Sequence, residues 1–171
     1  MNDKREELRM IENRKGDLLE QPDLHAIVHQ CNCYCTMGAG IALQIRNRWP
    51  EAYKADANTM HGDRSKLGGF SKAVVNSGRL WVYNLYSQFE YRGPGVKTDY
   101  FAMEKGLSAI NFDLNTPRYY EGGVIRIGIP YMMGYGLSGG DWGRVMDILS
   151  EIYDSGDDVD RHYKLVICRK D

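Results

Sequence analysis

No run of apolar residues in this 171-residue chain approaches the roughly 20 that a membrane span needs. The opening MNDKREELRM is charged and has no apolar core of the kind a signal peptide carries, so a cytoplasmic protein with frayed residues 1–7 is expected. Charge of one sign is also missing. The formal net charge is -1, which argues against a broad electrostatic grip on nucleic acid or an anionic membrane. With only four cysteines and a cytoplasmic setting, reduced thiols are the expectation. There is no internal repeat, linker or low-complexity tract, so residues 1–171 read as one domain. What is present is 43% apolar and 26% charged residues, the balance of a soluble globular chain with a real core.

Read in order, Leu8 to Arg14 alternates as a first strand, and Lys15-Gly16-Asp17 is turn chemistry. His25 to Cys31 is nearly continuous apolar, as in a strand covered on both faces. Ile41 to Trp49 has helical spacing, and Pro50 ends it and opens a second helix, Glu51 to Met60. Gly69 to Asn76 and Leu80 to Tyr86 pair as strands across Asn76-Ser77-Gly78-Arg79. Thr98 or Asp99 caps a helix to about Asn115, its periodicity marked by Phe101, Ala102, Lys105-Gly106, Ala109 and Phe112. Val124 to Ile129 is a strand, Asp141 caps a helix through Tyr153, Ser155 to Asp160 turns, and Tyr163 to Cys168 closes the chain. Interleaved strands and helices mean an α/β layered domain with a mixed, largely parallel sheet.

Two glycine loops each follow a buried strand and precede a helix, at Met37–Ile41 and Gly134–Gly140. Such loops offer bare backbone N–H groups to anions, and two facing loops suit a diphosphate. Neither is a Walker A loop and neither has the dinucleotide-binding spacing. His29, Cys31, Cys33 and Cys35 alternate, which on a strand puts them on one face. A zinc site would need a second ligand pair that the chain lacks, so packing for Cys31 and turn positions for Cys33 and Cys35 are expected. His29 reads either as a satisfied core histidine or as a general acid or base at the mouth of a site. Asn32 can hold a sugar hydroxyl or close an Asx turn, Asp17 is a turn residue or a ligand anchor, and Asp141 is a helix cap, a carboxylate aimed at a ligand, or both. Tyr83, Tyr86, Tyr91 and Tyr131 read as packing first and recognition second.

Gly16-Asp17-Leu18, Ala26 through Cys33, Met37-Gly38-Ala39-Gly40-Ile41-Ala42, Val82 through Gln88, and Ile129 through Trp142 occur in the order of the macro domain family, and together resemble it from Leu8 to Cys168. The resemblance implies a three-layer α/β/α fold and binding of ADP-ribose. Asp17, with Leu18 beside it, would meet the adenine. Met37, Gly38, Ala39, Gly40 and Ile41 would cradle diphosphate and distal ribose, and Asn32 would hold a distal hydroxyl. Gly134, Tyr135, Gly136 and Leu137 would clasp the diphosphate from the other side. His29 and Asp141 would form an acid/base pair at the 1'' position, with Asn32 beside them. The likeness is to the subgroup of ADP-ribose-1''-phosphate phosphatases and hydrolases that remove terminal ADP-ribose from glutamate. Those hydrolases use a lysine near the end of the central strand, where this chain has Ser87-Gln88, so the phosphatase is favoured. Neither metal nor cofactor is implied; the expected partner is ADP-ribose or a derivative, and nucleic acid only when ADP-ribosylated.

Overall fold

The computed structural model describes residues 10–115, 123–136, 138–154 and 163–171. In chain order the strands are β1 (Ile11–Lys15), β2 (Ala26–Asn32), β3 (Phe70–Val75), β4 (Leu80–Gln88), β5 (Ile125–Pro130) and β6 (Tyr163–Arg169). The helices are α1 (Gly40–Arg48), α2 (Pro50–Ala57), α3 (Tyr100–Leu114) and α4 (Trp142–Tyr153). The six strands form one sheet in the order β1-β6-β5-β2-β4-β3. All neighbours are parallel except β3 and β4, which pair antiparallel. Their hairpin turns through Asn76, Ser77 and Gly78, at φ of 53°, 56° and 85°.

Strand alternation sorts the core into two layers. Ala26 and Val28 of β2 face a cluster with Met103, Leu107 and Ile110 of α3 and Val145 and Leu149 of α4. Ile27 and Cys31 face the opposite way, against Ile45 and Trp49 beside α1 and Ala52 of α2. The result is the expected three-layer α/β/α arrangement, with the sheet mixed and largely parallel.

The buried stripe of α3 departs from expectation. Phe101 and Phe112 are exposed, at 78% and 81%, while Ala102, Met103, Gly106, Leu107, Ile110 and Leu114 are buried. The reason is close approach: a Cβ at Gly106 would overlap Leu85 of β4, so α3 lies on the sheet by its small residues and aliphatics. Asp99, not Thr98, caps this helix, accepting from the Ala102 amide. The strand start at Leu8 and the turn at Ser155–Asp160 lie outside the described residues. Among those described, no helix is long and apolar enough to cross a membrane.

Candidate functional site

β2 and β5 are parallel neighbours, so their C-terminal ends open onto the same edge of the sheet. A glycine loop leaves each end. Between the loops lies a cleft of about 470 Å³, lined by Gln30, Cys31 and Asn32 of β2, Thr36 to Ala42, Asp56, Gln88, Tyr91, Pro130 to Gly134, Gly136 and Ser138.

The first loop is bent by left-handed backbone at Cys35 (φ 55°) and Met37 (φ 39°). It delivers Gly38, Ala39 and Gly40, all exposed, to the start of α1. Ala39 is the N-cap and supplies no side-chain bond, so the first-turn amides of α1 remain available to an anion. Of the two readings open for Asn32, the Asx turn is present. Its Oδ1 accepts from the Tyr34 amide at 2.8 Å, closing an Asx turn, and it lines the cleft while its Nδ2 donates to Thr36 Oγ1 at 2.6 Å.

The second loop is held from beneath. Thr98 Oγ1 and Ser138 Oγ each lie 2.7 Å from the Gly134 carbonyl oxygen and 2.9 Å from each other. Gln30 Nε2 reaches Thr98 Oγ1 at 3.2 Å and Ser87 Oγ at 3.0 Å, tying the loop to β2 and β4. The Gly140 amide also donates to the Gly134 carbonyl, at 2.8 Å, and only glycine fits there: a Cβ would overlap that oxygen and come within 2.9 Å of Thr98 Oγ1. Tyr135, at 50% exposure, does not line the cleft. Leu137 lies outside the described residues.

Asp17 and Leu18 line a neighbouring hollow of about 380 Å³, which shares Ile41, Pro130 and Tyr131 with the cleft. Asp17 accepts from Lys170 Nζ at 2.7 Å and from the Leu19 amide at 2.9 Å, and the lysine bond first, then the amide, holds its pKa below the usual carboxylate range.

His29 and Asp141 are not brought together in the cleft. His29 is fully buried on the α1/α2 side of the sheet, and burial pulls its pKa down to about 4. Its Nε2 meets Asn84 Oδ1 at 2.7 Å. Asn84 Nδ2 donates to the Ala52 carbonyl at 2.9 Å, which fixes the amide orientation and hence places the proton on His29 Nε2. Asp141 is absent from the cleft lining. It caps α4, its Oδ1 accepting from the Gly143 amide at 2.7 Å and the Arg144 amide at 3.4 Å. Cys31 and Cys33 are buried, and Cys35 sits in the turn with its thiol on the Asp56 carbonyl at 3.1 Å. Among the described residues, no group of three His, Cys, Asp or Glu side chains is arranged to hold a metal.

Among the side chains of the cleft left without a role by the sequence are Gln30, Ser138 and Asp56. Gln30 and Ser138 carry no pattern of their own. Asp56 had one signal, since it stands four residues after Ala52 and so shares the buried face of α2.

No protein-family model matches the chain. An uncharacterized 17.5 kDa protein of Enterobacteria phage T4 is 34% identical over 134 residues, covering 75% of this chain and 77% of that protein. The two belong to one family. The DNA ADP-ribosyl glycohydrolase of Mycobacterium tuberculosis is 29% identical over 155 residues, covering 88% of this chain. The chain spans 41% of that relative's length. An ADP-ribose 1''-phosphate phosphatase of Aspergillus clavatus is 42% identical over 43 residues, or 25% of this chain and 22% of the enzyme. The macrodomain of Thermus aquaticus DarG superposes at a TM-score of 0.68 with 20% identity, over 92% of this chain and 96% of that one. The chain has the macro domain fold. Thermosipho africanus DarTG, solved in complex with ADP-ribose, superposes on this macro domain at a TM-score of 0.67 with 14% identity, over 92% of this chain and 41% of that one.

Proposed function

We propose that this macro domain binds ADP-ribose along the cleft and hydrolyses the phosphate of ADP-ribose-1''-phosphate. The observation that carries the reading is the pair of backbone cradles across one cleft: the uncapped start of α1 on one side and the Gly134 loop on the other. Backbone dipoles there offset the diphosphate charge, and the Asp17 hollow adjoining the cleft takes the adenine. In this reading water attacks phosphorus, the bond to the 1'' oxygen breaks, and Asp141, reaching in from the end of the Gly134 loop outside the cleft lining, takes the proton of the water and returns it to the departing oxygen. Buried His29 has no proton-transfer role. No lysine lines the cleft among the described residues, and Gln88 stands at the end of β4. That favours the phosphate ester over a reaction through a covalent sugar–lysine adduct.

One observation favours a second reading. The match to the mycobacterial DNA ADP-ribosyl glycohydrolase extends over 88% of the chain, against 25% for the phosphatase. The two are separated by supplying both substrates side by side. Phosphate released from ADP-ribose-1''-phosphate, with ADP-ribosylated DNA left intact, is the expected result. Release of ADP-ribose from the DNA alone replaces the first reading with the second. Binding without turnover of either substrate leaves a nucleotide-binding module.

A further inference from the structure

His29, which the resemblance would put in an acid/base pair at the 1'' position, begins a buried chain of hydrogen bonds that ends in the cleft. His29 Nε2 donates to Asn84 Oδ1 at 2.7 Å, and Asn84 Nδ2 donates to Ser71 Oγ at 3.0 Å. Ser71 Oγ lies 2.7 Å from Tyr86 Oη, and Tyr86 Oη donates to Asp56 Oδ1 at 2.7 Å. With Asn84 fixed by the Ala52 carbonyl and Tyr86 donating onward, Ser71 must donate to Tyr86. Every donor therefore points toward Asp56.

Asp56 is 1% exposed, yet it lines the cleft. Its Oδ1 is held by Tyr86, with Lys66 Nζ 4.0 Å away, while Oδ2 has no hydrogen-bond partner among the described residues. A buried carboxyl oxygen without a partner is costly, and a native fold keeps one where a ligand supplies the missing donor. Position narrows that ligand. Cys35, at the start of the first loop, donates its thiol to the backbone carbonyl of Asp56 at 3.1 Å, which puts Asp56 beside that end of the loop. The adenine hollow lies at the loop's other end, beside Ile41. The chemistry narrows it further. A buried carboxyl takes a neutral hydroxyl donor and repels a phosphate.

We propose that Asp56 is a specificity-determining residue whose Oδ2 accepts a hydrogen bond from a hydroxyl of the ligand's distal sugar ring. This rests on the reading of the cleft as an ADP-ribose site. Tyr86, Ser71, Asn84 and His29 are positioning residues that fix the carboxyl through its other oxygen.

Calorimetric titration with ADP-ribose and with ADP, which lacks the distal ring, tests this on the wild type, Asp56→Asn and Tyr86→Phe. Asn keeps an acceptor for Tyr86 but presents an amide donor in place of Oδ2. The expected result is a loss of about tenfold to a hundredfold in ADP-ribose affinity for Asp56→Asn, with ADP affinity unchanged. Tyr86→Phe is expected to show a smaller loss of the same selectivity. ADP-ribose binding equal to wild type in Asp56→Asn overturns the proposal, as does equal loss of both nucleotides. Should Asp56→Asn not fold, the wild type alone decides: no preference for ADP-ribose over ADP overturns the role. A wild type that binds neither nucleotide overturns the proposed function itself.

Discussion

At the scale of single residues, the polar side chains nearest the cleft each serve the fold before they serve a ligand. Asp141 caps α4, and its structural and chemical duties separate by substitution. Asp141→Ala is expected to cost about 1 kcal/mol of stability, read as a lowered melting temperature, whereas Asp141→Asn keeps a good cap. Phosphate release by Asp141→Asn is expected to fall at least a hundredfold, with ADP-ribose affinity retained. Wild-type turnover in that variant removes Asp141 from the reaction. His29 gives a pH signature. Its folded pKa of about 4 lies below the ordinary 6.5, because burial excludes the charged ring. Between those values the unfolded chain binds a proton that the folded chain does not. The contribution is fully present above pH 6.5 and is lost as pH falls toward 4, by on the order of 2–3 kcal/mol. Burial raises the Asp56 pKa, which acts in the opposite direction at the acid end of that window. Urea unfolding at pH 7 and at pH 4.5 measures the slope, and an unchanged slope in His29→Gln contradicts this assignment. The sequence left His29 open between core and catalysis because β2 is apolar on both faces. Burial depends on which helices cover each face, and that is decided by residues far along the chain.

At the scale of elements, strand and helix identities were legible because period and punctuation agreed. Pro50 opens α2, Asp99 and Asp141 cap α3 and α4, and Asn76-Ser77-Gly78 turns the β3–β4 hairpin. The misread stripe of α3 has a plain cause. Its aromatic residues dominate any hydrophobic pattern, yet the side packed on the sheet is the one that Gly106 allows to approach. The start of α1 is the element on which binding turns. Ala39 stands at the cap in extended backbone, φ -151° and ψ 164°, with no side chain to occupy the first-turn amides. Ala39→Asp is expected to cap α1, raise stability by about 1 kcal/mol, and place a carboxylate where the diphosphate belongs. A higher melting temperature with weakened ADP-ribose binding is the expected pair of results; unchanged binding would take the diphosphate off α1. In the facing loop, Gly140→Ala is expected to displace the Gly134 carbonyl and to cost about 1–3 kcal/mol together with nucleotide binding.

At the scale of the whole molecule, the parallel order β1-β6-β5-β2-β4 brings the C-terminal ends of five strands and both glycine loops to one edge, and β3 closes the sheet antiparallel. The two loops were visible in the sequence as separate anion-binding stretches. That they share one cleft, with Asp56 at its floor and Asp17 in an adjoining hollow, follows only from strand order, which local pattern does not encode. A ligand that binds only the folded form stabilises it by mass action, about 2.7 kcal/mol at a hundred times its dissociation constant. ADP-ribose is therefore expected to raise the melting temperature in proportion to the logarithm of its concentration. Titration of the wild-type protein with ADP-ribose in a calorimeter is the most direct measurement. A saturating isotherm with one site per chain is expected, and no heat with ligand at millimolar concentration contradicts the assignment of the cleft.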